Sequence, residues 1–212
     1  MIETTYSYSN AVITHLQEDL EKIHNSSKNI VILKREIDLF QNDLSKTKQR
    51  VLDLRASGEY EDVLNKITSY FEIELPSCKA LHNDLCKIFK LFKGTSRASS
   101  FRLSFQTIET DMCRKFHTDI NDLRLLCTYY GPGTLWIPDE CIDQQVLQKN
   151  NGRGDILVAE KDIQQASIGD VLIMKGALYP DANPLMHRSP PIEDQATSRL
   201  LLRIDTNEMM DF

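Results

Sequence analysis

The segment His117-Thr-Asp119 places an imidazole and a carboxylate two residues apart. Side chains at i and i+2 leave a strand on the same face, so the two groups converge on one ion if residues 113–117 (Cys-Arg-Lys-Phe-His) end a strand. A second imidazole, His187, follows the strand-like run 169–176, Gly-Asp-Val-Leu-Ile-Met-Lys-Gly. Two imidazoles and one carboxylate on one face, with positions left open, suit iron(II); zinc accepts the same donors. An isolated His-Xaa-Asp triplet arises often by chance. Its specificity here comes from an ordered set, in which the triplet, a long gap and His187 are followed by Arg199 and Arg203.

The two arginines lie in Ser198-Arg-Leu-Leu-Leu-Arg-Ile-Asp205 and share a face of a regular strand. A guanidinium aimed into a cavity beside a metal is shaped for bidentate capture of a carboxylate; the plainer role for either is an ion pair with Asp205, Glu193 or Asp194. Arg124 has the same two readings, cavity or ion pair. Tyr129, Tyr130 and Trp136 are candidate walls of a substrate pocket, although aromatics on half-buried strands more often belong to a core. His15, His24 and His82 sit in helical, polar surroundings and are expected in solvent.

The elements that must position these groups change character along the chain. Up to about residue 94 the apolar spacing is helical: 36–54 as one amphipathic helix or two, 60–75 as another, and 76–92 with Leu81, Leu85, Ile88, Phe89 and Phe92 on one face. One β-branched run, 29–33 (Asn-Ile-Val-Ile-Leu), interrupts them as a predicted strand. Past Gly94 the period becomes two, with short apolar runs between Gly, Pro, Asn and Asp clusters. Predicted strands cover 101–108, 113–117, 124–130, 135–137, 156–159, 170–174, 186–188 and 199–205, with turns at Gly131-Pro-Gly133 and at 150–154. Short strands at this spacing predict a sandwich or barrel. The expected organisation is one structural domain, in which a mainly helical region (1–94) packs on a metal-binding core (95–212).

Composition narrows the partners. The 212 residues carry a net charge of −6 without a basic block, which argues against nucleic acid and anionic membrane. There is no long apolar span and no secretory leader pattern, so the expected compartment is the cytoplasm. Five cysteines without a CxxC spacing argue against a disulfide framework and a zinc ribbon. The sequence leaves substrate and oligomeric state open.

Taken together, 113–119 (Cys-Arg-Lys-Phe-His-Thr-Asp), 123–136 (Leu-Arg-Leu-Leu-Cys-Thr-Tyr-Tyr-Gly-Pro-Gly-Thr-Leu-Trp), 187–191 (His-Arg-Ser-Pro-Pro) and 199–203 (Arg-Leu-Leu-Leu-Arg) resemble the bacterial family called domain of unknown function 1826. That pattern in turn resembles the phytanoyl-hydroxylase-like branch of the iron(II)/2-oxoglutarate oxygenases. The resemblance implies an α+β protein with a double-stranded β-helix, the cupin-like jelly roll. It implies His117, Asp119 and His187 as iron ligands, Arg203 or Arg199 as the 2-oxoglutarate anchor, and hydroxylation of an unknown substrate. It also implies a loose tie to bacterial zinc homeostasis through neighbouring metal-chaperone genes. Two other classes stand beside it: a non-oxygenase metal protein holding zinc, iron or manganese in the same barrel, and a metal-free interaction module worked by the helical half.

Overall fold

The computed structural model describes residues 8–142, 159–180, 183–193 and 197–206. The predicted turn at 150–154 and all but the last residue of the predicted strand at 156–159 lie outside them. The architecture is mixed α+β with one large sheet. Its strands are β1 (Ala11–Thr14), β2 (Ile30–Leu33), β3 (Asp53–Glu59), β4 (Ser100–Ile108), β5 (Leu123–Tyr130), β8 (Val171–Lys175) and β10 (Arg199–Thr206). They lie in the order β1-β2-β8-β5-β10-β4-β3, antiparallel throughout except for β1 against β2. A smaller sheet, in the order β7-β6-β9, is made of β6 (Leu135–Trp136), β7 (Gln164–Gln165) and β9 (His187–Arg188).

Each long strand has two different faces because each is covered by a different layer. On β10, Leu200, Leu202 and Ile204 enter the larger core with Leu103, Phe105, Leu125 and Ile173. That core is closed by α2 (Tyr60–Glu74), through Val63, Ile67 and Phe71, and by α3 (Lys79–Ser96), through Leu85, Ile88, Phe89 and Phe92. On the opposite face, Leu201, Leu126, Leu172, Met174, Ile30 and Ile32 pack against Trp136 and Leu185. Strands β2 and β8 are buried on both faces, which explains why they read as unbroken apolar runs rather than as alternation. A buried carboxylate, Asp43 on α1 (Gln41–Thr47), accepts hydrogen bonds from the amides of Ala80 and Leu81, at 2.9 and 3.1 Å. It satisfies two of the orphan donors at the start of α3, where Cys78 supplies no side-chain cap.

The predicted helix over 36–54 is only partly present. A 3-10 turn at Asp38–Phe40 leads into α1, and the chain then becomes β3. Ile37, Phe40 and Leu44 do pack into the core, but Val51 is solvent-exposed and the alternation Leu52, Leu54, Ala56 continues the edge of the sheet. β1 and β3, unforeseen in the sequence, flank the sheet at its two ends. Residues 113–117 form no regular strand. They run beside β9, held by Ser189 N–H to the Cys113 carbonyl and by the bridge between His117 and His187.

Two glycines are required where the chain folds over the future site. Gly131 has φ +79°, and a Cβ there would lie 2.3 Å from the Ser198 carbonyl oxygen. At Gly176 a Cβ would lie 2.2 Å from the Asn121 carbonyl oxygen. The amides of Gly176, Ala177 and Leu178 bond the carbonyls of Asp122, Asp119 and Asn121, so the close approach at Gly176 fixes the loop that carries Asp119. Gly176→Ala is therefore expected to destabilise the fold by about 1–3 kcal/mol, the range for overpacking, and to weaken any ligand held by Asp119. Urea unfolding checks this; a change within about 0.5 kcal/mol, as at an ordinary surface position, would contradict it.

Candidate metal centre

His117 and His187 are held face to face by their own backbones. Each amide donates to the other residue's carbonyl at 3.0 Å. Directly opposed residues in an antiparallel pair project to one side of the sheet, and the two rings accordingly stand 4.7 Å apart between centroids. Each Nδ1 contacts a carbonyl two residues back: Lys115 at 3.1 Å for His117 and Leu185 at 3.2 Å for His187. A carbonyl oxygen only accepts, so both Nδ1 atoms carry the proton and both Nε2 atoms turn toward Asp119. The approaches are 3.6 Å from His117 Nε2 to Oδ1 and 3.2 Å from His187 Nε2 to Oδ2. Among the described residues, these three form the one group of His, Cys, Asp and Glu side chains whose donor atoms all lie within 4.8 Å of one another.

Electrostatics make this arrangement demanding. With Nδ1 protonated, a neutral imidazole presents a lone pair at Nε2, and two lone pairs aimed at a carboxylate repel it unless a proton or a metal cation lies between. Burial pushes the Asp119 carboxyl up, but the close approach of the His117 and His187 rings, with the charge of Arg124, outweighs it and holds the group well below the usual carboxylate range. The nearby Asp119 carboxylate lifts His117 above the ordinary histidine value against the pull of burial. Asp119 Oδ2 is buried and accepts no hydrogen bond of good geometry although it faces both Arg124 and His187. Two Nε2 lone pairs and a buried carboxylate, with donor atoms all within 4.8 Å of one another, form a donor set that fits a divalent metal ion.

Of the other predicted site residues, Arg124 is bound up in the support of this triad. It pairs with both Asp119 and Asp205, and Asp205 also accepts from Asn121 at 2.9 Å and pairs with Arg203 at 3.1 Å. Arg199 is different. It is 2% exposed, and its guanidinium bonds Thr128 Oγ1 (2.8 Å from Nη2, 3.2 Å from Nε) and Thr134 Oγ1 (2.6 Å). No carboxylate pairs with it among the described residues, and burial lowers its pKa to about 10. Trp136 stands opposite His187 in the small sheet and shares its face. Tyr129 and Tyr130 belong to the larger core beneath the sheet instead; the Tyr129 hydroxyl donates to Asp84 at 2.8 Å. Those two side chains do not join the cluster.

Sequence reasoning missed Thr128 and Thr134. Their only signal was the turn Gly131-Pro-Gly133 between them, which folds both hydroxyls onto Arg199. Two histidines expected in solvent are engaged: His24 contacts the Tyr179 hydroxyl and the Thr95 carbonyl at 2.6 and 2.7 Å, and His82 stacks on Phe71. Asp194, weighed as an arginine partner, lies outside the described residues.

No helix among the described residues is long and apolar enough to cross a membrane. The fold is shared with a 2-oxoglutarate-binding dioxygenase, the dioxygenase for auxin oxidation 1 from Arabidopsis thaliana, solved as a 2-oxoglutarate complex. The likeness covers 96% of this chain and 94% of that one at 10% identity, with a TM-score of 0.50. A prolyl-4-hydroxylase from Pseudomonas putida (9% identity, 92% and 99% covered, TM-score 0.48) and a putative oxygenase from Shewanella oneidensis (13%, 95% and 90%, TM-score 0.44) are also similar. No curated protein matches. The model of the family described as "Protein of unknown function (DUF1826)" matches residues 15–205, and the chain belongs to that family.

If the triad is a metal centre, His117→Ala and His187→Ala should each lower affinity for a divalent metal by more than about 100-fold, beyond the 10–100-fold typical of residues that only support a ligand. Wild-type protein should gain about 2.7 kcal/mol of stability at metal 100-fold above its Kd. Element analysis and melting with and without a chelator give both readouts. Equal metal content in wild type and the two variants would refute the assignment.

Proposed function

We propose that this chain is an iron(II)/2-oxoglutarate-dependent oxygenase built on a double-stranded β-helix. From β4 onward the chain alternates between the large sheet and the small one: β4, the His117 bridge, β5, then β6 and β7 together, β8, β9 and β10. That alternation supports the winding of a jelly roll, with β1, β2 and β3 at the edges of the larger sheet. His117 Nε2, the Asp119 carboxylate and His187 Nε2 would hold the metal. Iron(II) bound there supplies the redox chemistry that couples oxidative decarboxylation of 2-oxoglutarate to hydroxylation of a second substrate.

The observation that carries the reading is the buried Arg199, which no carboxylate pairs among the described residues. A guanidinium withdrawn from water without a counter-charge costs several kcal/mol, and two threonine hydroxyls satisfy its protons without neutralising it. A ligand carboxylate would complete the site. Thr134, which holds Arg199, lies two residues before Trp136, the residue opposite His187, so the turn over Arg199 leads directly into the strand that faces the triad. Within this site the Lys115 and Leu185 carbonyls keep both imidazoles in the ligating tautomer, while Arg124 restrains the carboxylate directly and is itself held by Asp205, which accepts from Asn121. Arg203 is the weaker anchor, because Asp205 already pairs with it and its side chain is partly exposed.

Anaerobic titration of the iron(II) protein with 2-oxoglutarate, read by its charge-transfer absorption, tests the assignment. Arg199→Gln is expected to weaken binding about 30-fold or more, as for truncating one member of a buried charge pair. Arg203→Gln should change it only a few-fold. His117→Ala should abolish iron binding and succinate formation together. Binding insensitive to Arg199→Gln, or succinate production surviving His117→Ala, would remove the proposal.

A further inference from the structure

A cleft of about 320 Å³ opens on the face of the large sheet that carries Arg199 and Asp205, beyond the part covered by the small sheet. Cross-strand registry aligns Arg55, Ser104 and Arg203 in one row, and Ser57, Arg102, Asp205 and Arg124 in the next. Directly opposed residues share a face, so three arginines from β3, β4 and β10 point into the cleft over the hydroxyls of Ser57 and Ser104. Arg55 pairs with Asp53 at 2.9 Å and Arg203 with Asp205 at 3.1 Å. Arg102 has neither an ion pair nor a side-chain hydrogen bond among the described residues. Asp205 is itself shared with Arg124, so among the described residues cations exceed anions in this cleft, although the whole chain carries a net charge of −6.

The cleft is electrically continuous with the triad. The second row ends at Arg124, whose guanidinium contacts Asp119, so ion pairs run from Arg203 through Asp205 and Arg124 to the carboxylate of the candidate metal centre. We propose that the cleft binds the oxyanion of a small-molecule substrate, a carboxylate or a phosphate, with Arg102 and Arg203 as its principal contacts and Arg55 at the rim. This rests on the oxygenase reading for the word substrate; the anion site itself does not. Guanidinium forks suit both planar carboxylates and tetrahedral phosphates. The volume is at the low end for small-molecule sites, which favours a compact anionic head over a polymer.

The test needs no turnover. Acetate and inorganic phosphate are titrated separately into the full chain at constant ionic strength, and the arginine Nε–H resonances are followed by NMR. A saturable shift of the Arg102 and Arg203 signals is expected. The anion with the lower Kd identifies the headgroup. Arg102→Gln and Arg203→Gln should each raise that Kd about tenfold, the effect of losing one charge-assisted contact, with unchanged melting temperatures. Arg199→Gln and His117→Ala should leave it as in wild type, because those residues serve the other site. Shifts that never saturate, that are confined to Arg199, or that survive both cleft substitutions overturn the anion site. A saturable cleft in a protein whose iron form binds no 2-oxoglutarate would uphold the anion site while overturning its description as a substrate site.

Discussion

The reciprocal backbone hydrogen bonds between His117 and His187 are the constraint on which the site depends. They join two segments seventy residues apart in sequence at a single opposed pair, and without that pair neither imidazole faces the other. Three separate contacts then aim the cluster: the Lys115 and Leu185 carbonyls orient the rings, and Gly176 presses the 119–122 loop into place. The resulting geometry costs free energy if left to itself, because acceptor atoms from three side chains crowd one volume. Proteins keep such concentrations of polar groups where something binds.

Strand β10 organises the rest. Its even-numbered side chains hold the sheet to the helices, which fixes the strand against sliding, since a one-residue slip would exchange its faces. Its odd-numbered side chains, Arg199, Leu201, Arg203 and Asp205, take the opposite face, where Arg199 and Leu201 meet the second layer and Arg203 lines the open cleft. The same burial that stabilises the core therefore sets the depth of each charge. The helices contribute to the chemistry only in this indirect way, as the layer that keeps β10 in register.

The residues of the triad were legible in the sequence because imidazoles are scarce and their spacing is informative: the chain has five histidines, and the two singled out by the His-Thr-Asp triplet and by the apolar run 169–176 are the two that meet. The strand supposed to carry His117 was not legible in its true form. Residues 113–117 run beside β9 without a regular ladder, so the i, i+2 argument reached the right pair through an element reduced to one bridge. β3 was hidden because Val51 and Leu54 imitate helical spacing, and only pairing with β4 reveals 53–59 as extended. Tyr129 misled for the opposite reason. Its neighbours in sequence flank the site, but alternation along β5 sends its ring to the helical side, where Asp84 satisfies the hydroxyl. Contacts such as Thr134 to Arg199 depend on how a turn closes across strands, and one-dimensional periodicity carries no information about that.

The contrast between Arg199 and Arg203 shows how the fold assigns roles to equivalent residues. Both belong to one strand, share a face and bear the same charge. Arg199 lies beneath the Gly131–Thr134 turn, where a Cβ on Gly131 would strike the Ser198 carbonyl oxygen; this cover excludes water and leaves hydroxyls as its partners. Arg203, four residues on, lies past that cover, where Asp205 can reach it and solvent screens it. Burial leaves the first guanidinium without a counter-charge among the described residues. Exposure makes the second an adjustable contact at the edge of an open cleft. A single strand thus presents one deep and one shallow cationic site: ion pairs through Asp205 and Arg124 link Arg203 to Asp119, while Arg199 is held by Thr128 and Thr134.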